Sequence, residues 1–252
     1  MAPSRSAMRS QAPRFAPCIF LRFLCFLWQI HSPMPRTPDH LKMTPFYAFF
    51  HYLTRSVYEM WFRGEVTGTH NLPADGPFLI ASNHASHLDP PLVGGQVTRQ
   101  MRFFARKSLW NSRVSAWWLN QVETIPVERD SGDVGAIRRV LQALQENRAV
   151  VLFPEGTRSP DGHLQKAKAG VGLMACKTGV PVVPCRVYGS FAAFGKGAKI
   201  PHFGTPITIV FGRPIPASEY DDPSVGKARY ETAAQRIMDR IAALPEPHYP
   251  VV

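Results

Sequence analysis

Six short apolar runs, separated by segments with helical periodicity, constrain the fold more than any other feature of this sequence. The runs span residues 77–83, 101–106, 122–127, 149–154, 180–189 and 207–212. Several of them are mostly apolar, which is typical of strands that are buried on both faces of a sheet. Their alternation with helices predicts an α/β fold with a mostly parallel central sheet flanked by helices.

Three amphipathic helices are predicted between or after these runs. The first extends from Val134 to Leu144, the second from Val171 to a stop at Gly179, and the third lies near Lys227 to Leu244. We find neither an internal repeat nor a low-complexity linker. The sequence therefore predicts one domain over residues 64–252.

Residues 1–42 form a basic, partly apolar extension with six Lys or Arg residues against one Asp. Its apolar stretch, residues 18–30, is interrupted by Arg22 and is short for a helix that spans a membrane. No small-residue cleavage site follows Ile30, so a secretory signal is disfavoured. We interpret the extension as a membrane-surface or dispensable segment, disordered or upstream of the true start. A true span, a signal, and a start at Met34 or Met43 are the alternatives.

Residues 43–63 are predicted to form an amphipathic helix that lies in a membrane interface. The apolar residues at helical spacing are Phe46, Phe49, Phe50, Leu53, Val57, Met60 and Trp61. His51, Arg55 and Glu59 fall on the other side. The alternative is that the aromatic face packs on the domain, and the pattern alone leaves both open.

The net charge of +11 indicates an anionic partner, which can be nucleic acid, a membrane surface or a phosphorylated substrate. A nucleic-acid-binding module is disfavoured because the cations are scattered and often follow strands, whereas such modules cluster them with aromatic residues. The four cysteines lack C-x-x-C spacing, which favours a reducing compartment such as the cytoplasm.

The stretch SNHASHLDPP, residues 82–91, follows the first apolar run. Reacting groups in open α/β sheets tend to lie in loops at the carboxyl ends of strands. Here Asp89 can orient the imidazole of His84, which then acts as a base. Four alternatives stay open: an ordinary turn or surface role, His87 as the base, a metal site formed by His84, His87 and Asp89, and Ser86 as a nucleophile rather than a cap of local amides.

Two further groups of residues follow strands. FPEGTRS, residues 153–159, combines Glu155 and Gly156 with Thr157 and Arg158, and such a set can cradle an anion through amides, a hydroxyl and a guanidinium. Arg106 and Lys107 follow one apolar run, and Arg129 follows another. Taken singly, each cation is as easily explained as surface charge.

In this order, NHASHLDP, TIPVERD, FPEGTRS and VPVVP resemble the four sequence blocks of the PlsC-type glycerolipid acyltransferase family, which includes the 1-acylglycerol-3-phosphate acyltransferases. The resemblance extends from about Gly64 to Pro216. It implies that His84 is the general base and that Asp89 orients it. One departure is Glu123, because many family members have glycine at that position.

The resemblance also implies the substrates and their contacts. The acceptor's glycerol phosphate is expected to bind Glu155, Gly156, Thr157, Arg158 and Arg129, with a looser correspondence for Lys107. The implied reaction is transfer of a fatty acyl group, from acyl-CoA or acyl-carrier protein, to the sn-2 hydroxyl of 1-acylglycerol 3-phosphate. Neither a metal nor another cofactor is expected. The alternative acceptors are another lysophospholipid, a lyso-ornithine lipid or glycerol 3-phosphate.

Together with the basic charge, the resemblance predicts a protein on the cytoplasmic face of the cell membrane, where it meets anionic lipid. We expect no nucleic-acid partner.

Overall fold

The structure is a computed structural model that describes residues 42–127 and 134–246. Its strands are β1 (Glu65–Thr67), β2 (Phe78–Ser82), β3 (Met101–Arg102), β4 (Phe104–Arg106), β5 (Ile125–Val127), β6 (Ala149–Leu152), β7 (Val182–Tyr188) and β8 (Thr208–Phe211). Its α-helices are α1 (Pro45–Trp61), α2 (Asp89–Gly94), α3 (Arg113–Gln121), α4 (Val134–Gln145), α5 (Ala169–Thr178), α6 (Ser190–Phe194), α7 (Ala217–Tyr220) and α8 (Arg229–Ala242). Short 3-10 helices span Thr69–Asn71, Lys107–Asn111 and Pro223–Ala228.

The central sheet has six strands in the order β1-β8-β7-β2-β6-β3. Strand β2 pairs in parallel with both β6 and β7, and β3 and β1 pair in parallel with β6 and β8. The β7–β8 pair is antiparallel. The predicted α/β fold with a mostly parallel sheet is thus confirmed.

Strand β2 shows why the apolar runs are continuous. Phe78 and Ile80 belong to one hydrophobic cluster, and Leu79 and Ala81 belong to a second cluster on the opposite face. All four side chains are fully buried. Helices α1 and α2 contribute to the first cluster and α4, α5 and α8 to the second, so both faces of the sheet exclude water.

The run at 101–106, predicted as one strand, is divided at Phe103. Residues 101–102 pair with β6, whereas residues 104–106 pair with β5 in a separate two-stranded sheet. The run at 122–127 is also shorter than predicted, because Val122 and Glu123 close helix α3 before β5 begins. The hydropathy of residues 101–106 does not show that the pairing partner changes from β6 to β5 within this run.

Glu123 has a positive φ of 52°, a conformation that favours glycine. It lies just after the C-cap of α3, where the Glu123 amide donates to the Asn120 carbonyl and the Thr124 amide donates to the Leu119 carbonyl. This pair of bonds is the Schellman arrangement, which usually has glycine at that position. Glu123, the residue at which this chain departs from the family it resembles, is therefore strained. Its carboxylate lies 3.1 Å from Nε of Arg102.

We expect Glu123→Gly to be more stable than Glu123→Ala by about 1 kcal/mol, because only glycine adopts this backbone conformation without strain. Both variants lose the Arg102 ion pair, so their difference isolates the backbone effect. Chemical denaturation of the two proteins measures it. Equal free energies of unfolding would show that the backbone at residue 123 is unstrained.

Helix α1 packs on the domain through a face that the sequence did not indicate. Tyr47 and Tyr58 are buried, and Tyr58 donates its hydroxyl hydrogen bond to the Glu65 and Ile207 carbonyls. His51, expected on the polar side, lies inward with Nε2 3.0 Å from the Val97 carbonyl oxygen. His51 thus lies opposite the exposed part of the aromatic stripe, as its spacing indicated, and this side of the helix contacts the domain.

The aromatic stripe itself is divided between two environments. Phe46 and Phe50 are partly buried, whereas Phe49, Leu53, Met60 and Trp61 are all close to half exposed. Within the described part of the chain, no helix is long and apolar enough to cross a membrane. The apolar stretch 18–30 lies outside the described residues.

Candidate active site

The candidate active site lies where β2 passes into α2. Strand β2 ends at Ser82 and α2 begins at Asp89, and the loop between them carries His84. Nδ1 of His84 lies 3.0 Å from Oδ2 of Asp89. The Asp89 side chain is fully buried, and that of His84 is 12% exposed. The histidine and carboxylate predicted to form a dyad are therefore in contact.

Asp89 also fixes the shape of the loop. The same Oδ2 atom accepts hydrogen bonds from the Ala85 and Ser86 amides, both at 2.7 Å. The carboxylate thus holds the backbone that follows His84 as well as its ring. Because Nδ1–H donates to Asp89, Nε2 of the neutral imidazole is left with the lone pair that can accept a proton.

Phe153 and Glu155, which follow the neighbouring strand β6, both contact His84. The Phe153 and His84 rings stack with their centroids 4.2 Å apart, and Oε1 of Glu155 accepts from the His84 amide at 2.9 Å. Oε2 of Glu155 accepts from the Gln165 amide at 3.3 Å. Glu155 therefore ties the histidine loop to the segment after β6. Its place in the acceptor site stays a prediction.

Burial raises the pKa of Glu155 to about 7, and the two amide hydrogen bonds oppose this rise. The carboxyl group is almost completely buried. A buried carboxyl with a pKa near neutrality at a candidate active site is the kind of perturbation that functional sites often show.

Gly156 and Arg158 continue the same turn. Gly156 has a φ of 68°, and a Cβ atom there would lie only 2.9 Å from Cδ of Lys168. The positive φ therefore favours glycine, whereas the flexible Lys168 side chain could move aside for a Cβ atom. Arg158 is partly exposed. Burial lowers the pKa of His87, and the positive charge of Arg158 lowers it further. Arg158 therefore acts electrostatically on the loop that carries His84. Thr157 is exposed.

The structure distinguishes among the alternatives for the first motif. Ser86 is fully buried, and its hydroxyl donates to the Phe194 carbonyl and accepts from the Leu88 amide. It caps local backbone and is not placed as a nucleophile. Asp89 pairs with His84, whereas the His87 ring lies against Phe194 at 5.7 Å. Among residues 42–127 and 134–246, no group of three His, Cys, Asp or Glu side chains is placed to hold a metal ion.

The amides of the loop before α2 are largely engaged in local hydrogen bonds. Those of Ala85 and Ser86 donate to Asp89, that of Leu88 donates to Ser86, and that of Asp89 donates to the Ser86 carbonyl. Pro90 and Pro91 have no amide hydrogen. The loop therefore uses these donors to hold its own shape.

Of the two further cations that the resemblance implies for the acceptor site, Lys107 lies within the described residues and Arg129 lies outside them. Lys107 is exposed and opens the 3-10 helix directly after β4. The fourth block, VPVVP, contributes the buried Val182 and Val183 to β7, and its role in binding a substrate stays a prediction.

Lys168 is a candidate that the sequence did not single out. It is exposed at the N-cap of α5, and its side chain covers Gly156. Its amide donates to the Pro154 carbonyl at 2.8 Å, which fixes it beside the turn. The only sequence signal was the pair of lysines in KAKAG, Lys166 and Lys168, which lie 10 and 12 residues after Gly156 and are too far along the chain to suggest contact.

A contact between a buried aspartate and a histidine at the carboxyl edge of a mostly parallel sheet is an arrangement typical of α/β enzymes. A family model described as Acyltransferase matches residues 63–188, which is half of the chain. The chain therefore belongs to the acyltransferase family.

The chain is similar to several 1-acyl-sn-glycerol-3-phosphate acyltransferases. It is 30% identical to the chloroplastic enzyme BAT2 of Brassica napus over 69% of this chain and 52% of that protein. It is 28% identical to the Bacillus subtilis enzyme over 71% of this chain and 87% of that protein. The chain thus spans about half the length of the Brassica relative.

The crystal structure of the 1-acyl-sn-glycerophosphate acyltransferase PlsC from Thermotoga maritima has a similar fold. The TM-score is 0.62 at 22% sequence identity, with 88% of this chain and 87% of that chain covered.

Proposed function

We propose that the protein transfers a fatty acyl group from acyl-CoA or acyl-carrier protein to the sn-2 hydroxyl of 1-acylglycerol 3-phosphate, which yields phosphatidic acid. The observation that carries the proposal is the contact of His84 with Asp89 beside the turn that bears Arg158. The family membership and the named activities of the similar proteins support it.

The proposed reaction begins at Nε2 of His84. This nitrogen takes the proton of the sn-2 hydroxyl as the oxygen attacks the thioester carbonyl, and Asp89 stabilises the imidazolium that forms. The tetrahedral intermediate then expels the thiolate, which takes the proton from the imidazolium. The ester and free thiol are the products, so the reaction balances with donor and acceptor alone.

The acceptor's phosphate requires cations near His84. Arg158 and Lys168 flank Gly156, which is tied to His84 through the turn and Glu155. A guanidinium can hold two phosphate oxygens at once, whereas an ammonium acts as a point charge. We assign phosphate binding to Arg158 with support from Lys168, and Arg129 and Lys107 remain further candidates.

Arg158→Ala is expected to lower kcat/KM for the phosphorylated acceptor about 10- to 100-fold, since a charge-assisted hydrogen bond contributes about 1.5–3 kcal/mol. The KM of the acyl donor should change little. Steady-state kinetics with each substrate varied in turn measure both effects.

Lys177→Ala is the matched control, because Lys177 is an exposed cation in the last turn of α5, at the end remote from Lys168. Equal kinetics in the Arg158 and Lys177 variants would remove Arg158 from the phosphate site.

A membrane surface is the second proposed partner. Phe49 and Leu53 of α1 are 51% and 45% exposed, and Met60 and Trp61 are exposed to a similar degree. The same helix is held to the domain by Tyr47 and Tyr58, so it presents an apolar face outward without separating from the core. We propose that this face lies in the cytoplasmic surface of the cell membrane, where both lipid substrate and product reside.

The function is tested by assaying the purified full-length protein with a panel of acceptors and both donor types. The panel contains 1-acylglycerol 3-phosphate, a zwitterionic lysophospholipid, a lyso-ornithine lipid and glycerol 3-phosphate. We expect 1-acylglycerol 3-phosphate to have the highest kcat/KM. A higher value for any other acceptor would assign the enzyme to that substrate instead.

A further inference from the structure

Helix α3 and the 3-10 helix before it expose more apolar surface than a short element of a soluble domain usually does. Val114 is 78% exposed, Trp117 is 55% exposed and Leu109 is 49% exposed. No residue of α3 or of this 3-10 helix is buried. Such an exposed cluster of apolar side chains commonly marks a surface that binds a partner.

This cluster adjoins the exposed part of α1. The Phe46 ring lies with its centroid 5.2 Å from Trp117 and 5.4 Å from Trp118, and the Phe50 ring lies 4.1 Å from Trp118. Phe50 in turn contacts Phe49 at 4.9 Å. The aromatic rings therefore connect the outward residues of α1 with those of α3, and we call Phe49, Leu53, Val114 and Trp117 the paired apolar face.

The charge around this face selects an anionic occupant. From Pro90 to Val122 the chain contains no Asp or Glu, and its cations are Arg99, Arg102, Arg106, Lys107 and Arg113. The last three are exposed and lie in or next to the segment that carries the cluster. A second copy of the chain would bring these cations against cations, whereas anionic lipid headgroups complement them.

We propose that α3 is a second membrane-contacting element, which inserts Val114 and Trp117 into the headgroup region of an anionic bilayer beside α1. The inference rests on the proposed function in taking lipid as the partner. One interfacial helix leaves a domain free to roll about the helix axis, whereas two adjacent elements fix its orientation. Tryptophan suits this position, because its ring combines a large apolar surface with an N–H group.

Val114→Asp in the full-length chain tests the proposal by vesicle flotation. The vesicles contain phosphatidylcholine with or without phosphatidylglycerol. We expect the partition coefficient for the anionic vesicles to fall about tenfold or more, because a carboxylate replaces an inserted apolar group. Phe49→Ser with Leu53→Ser should weaken binding to the same vesicles through α1.

Val225→Asp is the matched control, since it makes the same substitution and the same charge change at an exposed valine in the 3-10 helix Pro223–Ala228, remote in sequence from the face. Its vesicle binding should equal that of the parent. Indistinguishable binding by the Val114 and Val225 variants would overturn the proposal.

Quenching of tryptophan fluorescence by brominated lipid gives a second measurement. The parent should lose fluorescence on binding, and Trp117→Phe should lose markedly less because its inserted ring no longer fluoresces. Equal quenching in both proteins would place Trp117 outside the bilayer. A change of oligomeric state in Val114→Asp without vesicles would identify the face as a contact between copies and also overturn the proposal.

The enzyme assay separates this inference from the proposed function. Val114→Asp should retain parental activity on a short-chain, water-soluble lysophosphatidate and lose activity on the same headgroup embedded in vesicles. A parent inactive on every lysophosphatidate would sink the proposed function, while flotation would still decide whether α3 binds lipid.

Discussion

His84→Ala is expected to lower kcat/KM for acyl transfer about 10²- to 10⁴-fold, the range by which a positioned general base accelerates a reaction. The sn-2 hydroxyl is a poor nucleophile at neutral pH, and Nε2 of His84 is the nitrogen left to accept its proton once Nδ1–H donates to Asp89. Alanine leaves a small gap next to Phe153 but keeps the His84 amide, which donates to Glu155. The thermal unfolding midpoint should therefore change little.

Kinetics of the His84 variant are compared with those of His87→Ala. His87 is exposed, and its ring lies against Phe194 rather than Asp89, so its replacement should be much milder. Partial recovery of the His84 variant by added imidazole would support loss of a base rather than of the fold. An inactive His87 variant together with an active His84 variant would reverse the assignment.

The positions of the reacting groups could be predicted because they depend on strand ends. The apolar runs that became β2 and β6 are buried on both faces, so their hydropathy located them directly. Since these strands are parallel neighbours, the residues that follow them, His84 and Glu155, necessarily meet at one edge. The sequence located the two strand ends, whereas the pairing of β2 with β6 is known only from the structure.

The contacts within the site could not be predicted in the same way. The hydrogen bonds that Glu155 accepts from the His84 and Gln165 amides join residues 71 and 10 positions apart, and neither is visible in a residue pattern. The occupation of the Ala85 and Ser86 amides by Asp89 depends on the turn that brings them together. Side-chain to backbone bonds are specified by tertiary geometry, and a motif states only which residues are present.

The sequence left the orientation of α1 open for a related reason. Its aromatic residues cover most of the helix circumference, so periodicity does not select which side packs on the domain. Polar atoms determine which side of α1 packs on the domain. Tyr58 and His51 hydrogen-bond to backbone carbonyls of the domain, whereas Phe49 and Leu53 have no polar group that needs a partner. Tyr47 and Tyr58 are therefore buried, whereas Phe49 and Leu53 are left about half exposed.

Asp89→Asn is expected to be the second most damaging change, and the structure indicates how the amide would sit. Oδ2 of Asp89 accepts from the His84 ring and from the Ala85 and Ser86 amides, whereas Oδ1 is buried without a hydrogen-bond partner. The asparagine should place its carbonyl oxygen at the Oδ2 position, because an NH₂ group there would face three donors. The ring tautomer and the loop shape are then preserved, and the lost feature is the negative charge.

The loss in kcat of Asp89→Asn should therefore be about 10²-fold or more, since a neutral amide cannot stabilise the imidazolium that forms as His84 takes the proton. The KM of the acceptor should hold steady because the Arg158 turn is untouched. The orphaned NH₂ group at the Oδ1 position should cost about 1–3 kcal/mol of stability, which chemical denaturation measures. Asp161→Asn is the control, because Asp161 is an exposed carboxylate of the neighbouring turn, bonded to Ser159 and His163. A folded Asp89→Asn protein with the kcat of the Asp161 variant would show that the charge on Asp89 does not assist proton transfer, and the dyad would have to be abandoned.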